Sequence, residues 1–124
     1  MIQAINKKID LKIKAVSYLG LPSYGIVLVG NNGFEYYNNK NAKDFIQIPW
    51  NEVDYIAASV LLGGRWINRF AIFTKKNGDF SFSTSDNKKT LRAISNYIPK
   101  EKLVKSKTFL QIIFLGIKSI FKKR

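Results

Sequence analysis

The sequence predicts a mainly β fold with C-terminal helices: a seven-stranded antiparallel barrel or sandwich capped by one helix, with an extra amphipathic helix at the C-terminus. Three observations carry this. Short apolar stretches with period-two alternation recur between residues 9 and 84, punctuated by Gly, Asn and Pro. The period becomes helical between Asp86 and Pro99. The residues beyond Lys107 are apolar around most of a helix circumference.

The elements follow in order. Ile9, Leu11, Ile13 and Ala15 alternate with Asp10, Lys12 and Lys14, so residues 9–18 read as a half-buried strand. Leu19-Gly20-Leu21-Pro22-Ser23 turns the chain into a second strand at 24–30. Asn31-Asn32-Gly33 is a hairpin signal, because Asn and Gly tolerate positive φ, and a third strand starts at Phe34. A polar turn up to Asp44 leads to a short strand, Phe45–Ile48, ended by Pro49. A fifth strand at 53–61 closes through Gly63-Gly64 into a sixth, Trp66–Thr74. Asn77-Gly78 is a second tight hairpin, and Asp79–Thr84 alternates as the seventh strand. Asp86 is a candidate N-cap; Leu91, Ile94, Tyr97 and Ile98 recur at helical spacing, and Pro99 stops the helix. The pleckstrin-homology (PH) superfold is the commonest fold of this description. The sequence therefore divides into a PH-like domain at 1–98, a basic hinge at 99–106 and an amphipathic basic helix at 107–124.

One helix completes such a barrel, which leaves the terminal helix surplus to it. Phe109, Leu110, Ile113, Phe114, Ile117, Ile120 and Phe121 form its broad apolar surface, and Lys107, Gln111, Lys118 and Lys122 a narrow polar stripe. Lys122, Lys123 and Arg124 close the chain. Thr108 to Phe121 falls short of the ~20 residues that span a bilayer. Such a helix lies in a membrane interface, docks in a partner's groove, or folds back onto its own domain. The apolar residues named above, with Lys118, Lys122, Lys123 and Arg124, are thus the candidate partner- or membrane-binding residues.

Composition narrows the chemistry. The 124 residues suit one domain with a single core, and the absence of cysteine excludes disulfides and thiol catalysis. The absence of histidine excludes an imidazole base or ligand and any phosphohistidine intermediate. No cofactor or metal site is expected. The formal charge is +13, with eight basic residues and one acidic between 100 and 124, so a polyanionic surface is the natural partner. Anionic lipid and nucleic acid both qualify. The N-terminal stretch has no uninterrupted apolar run and is not expected to be a secretory signal or anchor.

Glu52 and Asp54 are spaced as an acid/base pair on one strand face, but a solvated face paired with Arg69 or a lysine explains them better. Asn31-Asn32-Gly33 and Gly63-Gly64 lack the following helix, lysine and hydroxyl of a phosphate loop and read as plain turns. Lys75-Lys76 and the Lys88-Lys89-Arg92 face fit phosphate contacts and solvated surfaces equally. Trp50 and Trp66 flank the fifth strand and are expected in core or rim packing. No helix-turn-helix or RNP-type pattern occurs.

The segments SYLGLPSYG, IQIPWNEVDYIAASV, GGRWINRFAIFTKKNGDFSFSTSDNKKTLRAI and KTFLQIIFLGIKSI, between residues 9 and 121, together resemble the DUF956, or ManO-type, family. The resemblance implies a PH-like fold and an accessory or regulatory role in mannose-family phosphotransferase (PTS) sugar uptake. It brings no active-site residues. The LGLPS loop lacks the basic cluster with which lipid-binding PH domains grip phosphoinositides, so diffuse rather than headgroup-specific lipid binding is expected. A histidine-free chain is not a phosphocarrier in a relay that runs on histidine. The expectation is a non-enzymatic protein, peripheral at the cytoplasmic membrane face, that binds permease subunits or anionic lipid through its terminal helix. A homo-oligomer is compatible with this. The alternative is a nucleic-acid-binding regulator of the sugar-uptake operon, which accounts for the charge but not for the apolar helix.

Overall fold

A computed structural model describes residues 3–61 and 66–107. Its strands are β1 (Ile9–Ser17), β2 (Ser23–Gly30), β3 (Gly33–Asn38), β4 (Phe45–Pro49), β5 (Val53–Leu61), β6 (Trp66–Thr74) and β7 (Asp79–Thr84). The helix α1 (Asn87–Ile94) follows, then β8 (Leu103–Lys107). All eight strands form one sheet in the order β4-β3-β2-β1-β7-β6-β5-β8. The fold is mainly β with one helix, as the alternation predicts, and every strand expected among the described residues is present.

Two antiparallel meanders make up the sheet. β1 pairs with β2 from Ser17↔Ser23 to Ile9↔Gly30, and β3 and β4 continue outward. β5, β6 and β7 form the second meander. Among the described residues the two join where Ala15–Ser17 pair with Thr84–Phe82, and the Tyr18 and Ser85 amides extend the ladder by donating to the Ser81 and Lys14 carbonyls, each at 3.0 Å. The inner face carries the core. Phe34 from the first meander meets Phe70 edge-on at 6.0 Å and Phe82 at 4.8 Å from the second, all three fully buried. Such pairs add about 0.5–1.5 kcal/mol each beyond their area.

Helix α1 lies against this core through Thr90 and Ile94, both fully buried. Asp86 caps it as predicted, its side chain accepting from the Lys89 amide at 3.1 Å. The helix ends four residues earlier than the spacing to Ile98 suggests. The Asn96 and Tyr97 amides bond three residues back, to Ala93 and Ile94, tightening the last turn. That turn frees Tyr97 to stack on Trp50, centroids 5.6 Å apart, and leaves Ile98 buried.

The C-terminal part of the sequence reading needs correction. The expected hinge at 99–106 is a 3₁₀ turn, Lys100–Lys102, followed by β8, which pairs parallel with β5 from Ile56↔Leu103 to Val60↔Lys107. The sheet is therefore eight-stranded and mixed, not seven-stranded and antiparallel. Charge masked the signal, because one apolar residue suffices where an open strand edge supplies the backbone partners. Leu103 packs against the core and the Lys102 ammonium donates to the Val53 carbonyl at 3.3 Å. The Gly63-Gly64 turn and the helix expected at 107–124, beyond Lys107, lie outside the described residues.

Two stability outcomes follow from this packing. Phe82→Ala removes the ring shared by both meanders and should cost about 3–5 kcal/mol, read as a lowered urea midpoint. Truncation after Lys107 should leave a cooperative thermal transition. Truncation after Pro99, which also strips β8 from β5, should lower or abolish it.

Candidate functional site

Three clusters of side chains stand out. The first surrounds Glu35 in β3, which is fully buried. Its carboxylate accepts from the Ile5 amide at 3.0 Å, the Asn6 side-chain amide at 2.7 Å and the Tyr37 hydroxyl. Asn6 in turn accepts from the Asn32 and Gly33 amides at 2.7 and 2.8 Å, pinning the N-terminal segment to the β2–β3 hairpin. Gly33 is required here for space: a Cβ would run into the Ile48 carbonyl oxygen and the Ile5 side chain. Burial, followed by the hydrogen bond to Glu35, pushes the Tyr37 hydroxyl up to about 12. Both carboxylate oxygens of Glu35 have partners, so this acid is structural. No sequence signal marks it, because two of its three partners, Ile5 and Asn6, lie about thirty residues away in the chain.

The second cluster is one end of the sheet. The β1–β2 loop exposes Leu19 and Leu21, 63% and 87% accessible, and Tyr24 and Phe45 are also exposed beside it. Leu19, Phe45, Thr74 and Asn77 line one shallow cavity of about 290 Å³, which places the β1–β2 loop, the start of β4 and the β6–β7 turn together. The Asn39 amide donates to the Tyr24 carbonyl at 3.0 Å and brings the β3–β4 connection alongside. The exposed Lys40 and Lys43 of that connection and Lys75 and Lys76 of the β6–β7 turn flank the apolar tip. Gly20 (φ 78°) and Gly78 (φ 79°) permit the two turns.

The third is a trough of about 420 Å³ on the outer face of β5, β6, β7 and β8. Its lining includes the small side chains Ala57, Ser59, Ala71 and Ser81. Tyr55 and Phe73 stack at one end, centroids 4.5 Å apart. The Arg69 guanidinium lies 4.2 Å from the Tyr18 ring, a cation–π contact, and Val104 of β8 adds an exposed apolar side chain. An outer sheet face is usually polar; this one is largely apolar.

The candidate binding residues Phe109, Leu110, Ile113, Phe114, Ile117, Lys118, Ile120, Phe121, Lys122, Lys123 and Arg124 lie outside the described residues. Glu52 belongs to a 3₁₀ turn and Asp54 to β5, with a register irregularity between Val53 and Tyr55, so the regular strand spacing of a catalytic pair is absent. Arg69 is taken up by Tyr18. Trp50 packs as expected, its indole donating to the Gly30 carbonyl at 2.9 Å. Trp66 does not, being 56% exposed. Lys88, Lys89 and Arg92 are exposed on α1. The Tyr97 hydroxyl is pushed up chiefly by its hydrogen bond to Asp10. Among the described residues no group of three acidic side chains is placed to hold a metal ion, and no helix is long and apolar enough to cross a membrane.

Fold and surfaces define a small α+β domain, one mixed sheet with a single packed helix and apolar patches on its outside. The chain belongs to the DUF956 family, a domain of unknown function, which matches residues 1–117. No curated protein matches the sequence. A solved structure with a similar fold is the C-terminal domain of an unknown protein from Leishmania infantum, 12% identical with a TM-score of 0.62, over 72% of this chain and 82% of that one. At that identity the likeness is one of fold alone.

The Tyr37 shift gives a sign that experiment can check. The folded state holds this proton more tightly than the unfolded chain, so its contribution is complete below pH 10 and declines as pH rises towards 12. Tyr37→Phe should therefore show a shallower loss of stability than the parent between those limits, measured as urea midpoints across alkaline pH.

Proposed function

We propose that this chain is a non-enzymatic, PH-like accessory or regulatory protein of a mannose-family phosphotransferase uptake system, working at the cytoplasmic face of the membrane. The observation that carries the membrane part is the loop end, where exposed Leu19 and Leu21 sit among Lys40, Lys43, Lys75 and Lys76. These lysines outnumber the one carboxylate, Glu52, that lines the same cavity, and exposed apolar side chains beside a surplus of cations suit an anionic bilayer surface. Inserting the two leucines is worth about 3–6 kcal/mol if complete, and each lysine at the surface adds about 1 kcal/mol. The terminal residues Phe109–Arg124 supply a second apolar and basic contact, with lipid or with the permease.

A PH-like assignment is supported by the topology. Two meanders of four and three strands meet at β1 and β7, and α1 follows β7 directly. The sugar-uptake part rests on the resemblance of the sequence to ManO-type proteins. The lack of histidine keeps the chain outside the phosphoryl relay and leaves binding or regulation as its role.

Flotation with phosphatidylserine-containing vesicles tests the reading. The parent should float, without preference for one phosphoinositide, and should be released by salt. Leu19→Ser with Leu21→Ser should lower the floated fraction severalfold. Ile113→Asp with Ile117→Asp should also lower it, at a cost of at most ~2.5–3.5 kcal/mol per carboxylate. Flotation unchanged in both variants, or retention on DNA in place of vesicles, would refute the membrane reading. Capture of the permease by the parent and not by the Asp variant would place the terminal contact in a protein groove.

A further inference from the structure

We infer that the outer-face trough is the docking site for the chain's own residues 108–121. β8 runs parallel to β5 and stops with Lys107 opposite Val60, beside the end at which Trp66 pairs with Leu61. On β5 the trough runs from Ser59 to Tyr55, four residue steps or ~13 Å. Thr108 to Phe121, as the helix its sequence predicts, is ~21 Å long. A segment turning back at Lys107 therefore covers the trough end to end.

The two surfaces are complementary. The trough is lined by Ala57, Ala71 and Ser81, small enough to admit bulky side chains, between the Tyr55–Phe73 stack and the Tyr18–Arg69 pair. The terminal segment offers phenylalanine, leucine and isoleucine around all but the stripe that contains Gln111 and Lys118. Covering an apolar sheet face with an apolar helix is the ordinary way a sheet layer is buried.

A segment laid in this direction brings Lys122, Lys123 and Arg124 to the Tyr55 end. Exposed Glu52 and Asp54 flank the start of β5 there, and Asp79 pairs in register with Phe73. Glu101, also exposed, precedes the first residue of β8 at the same end. Four of the chain's eight acidic residues thus lie where the basic terminus arrives and offer it carboxylate partners, interleaved with Lys75, Lys76, Lys100 and Lys102.

Docked, the segment is withheld from lipid and permease; released, it is available to them, and the trough is uncovered with it. This competition rests on the membrane reading above, whereas the docking itself does not.

The absence of native cysteine makes disulfide trapping in the full chain clean. Ser81→Cys places a thiol in the trough with little change of shape and is paired with Ile113→Cys or Ile117→Cys, since register decides which reaches. Controls pair the same tail thiols with Lys40→Cys in the β3–β4 connection, or with Leu91→Cys in the smaller cleft between α1 and β8. In dilute solution at least one Ser81→Cys pair should close intramolecularly about tenfold faster than either control. Ala71→Asp, which charges the trough, should remove that advantage. Closure at Lys40→Cys or Leu91→Cys as fast as at Ser81→Cys, or only intermolecular disulfides, would overturn the docking. Flotation separates the two readings. If the trapped protein floats as well as its reduced form, the docking stands and the tail is not the membrane contact. If no selective disulfide forms while the parent floats, the membrane reading stands and the docking is wrong.

Discussion

The whole sheet depends on one short junction. Ala15, Val16 and Ser17 of β1 pair with Thr84, Ser83 and Phe82 of β7, the only ladder between the two meanders among the described residues. So short a ladder, even with the Tyr18 and Ser85 amides extending it, would be a weak weld by itself. What makes the join hold is the buried aromatic trio behind it, where Phe34 from one meander contacts Phe70 and Phe82 from the other. The non-directional apolar contact supplies energy, and the directional ladder fixes register. Helix α1, entering immediately after β7, can then reach both meanders through Thr90 and Ile94.

A second constraint acts at the N-terminus. Burying an ionisable group is costly unless its oxygens are satisfied, and Glu35 is buried with three donors around it. Those donors come from Ile5, Asn6 and Tyr37, so the residues before β1 are held by polar contacts rather than by a strand. The same network explains why Gly30 and Gly33 bracket the hairpin. A Cβ on Gly30 would run into Asn6 and the Lys8 carbonyl oxygen, and the loop would lose its seat.

These constraints leave the outside of the sheet free for interaction. The loop end and the trough both place aliphatic or aromatic side chains in solvent beside cations, though by different means. The loop end gathers residues from three connections, and the trough is built by alternation along β5, β6 and β7. Both are exposed and largely apolar, on a chain that has no histidine or cysteine.

The sequence by itself determined the seven strands from Ile9 to Thr84 and the Asp86-capped helix, because period, turn residues and capping act over a few neighbours. It determined, too, that histidine and thiol chemistry are excluded and that the chain is strongly basic. Only the tertiary structure decided that Lys100–Lys107 is a turn and a strand, since β8 exists by virtue of the open edge of β5 and not through its own propensity. Only tertiary structure revealed Glu35 as buried, Arg69 as the partner of Tyr18, and Tyr55, Phe73 and Val104 as neighbours lining one trough. These depend on which strands become neighbours, and neighbours far apart in the chain leave no local pattern to read.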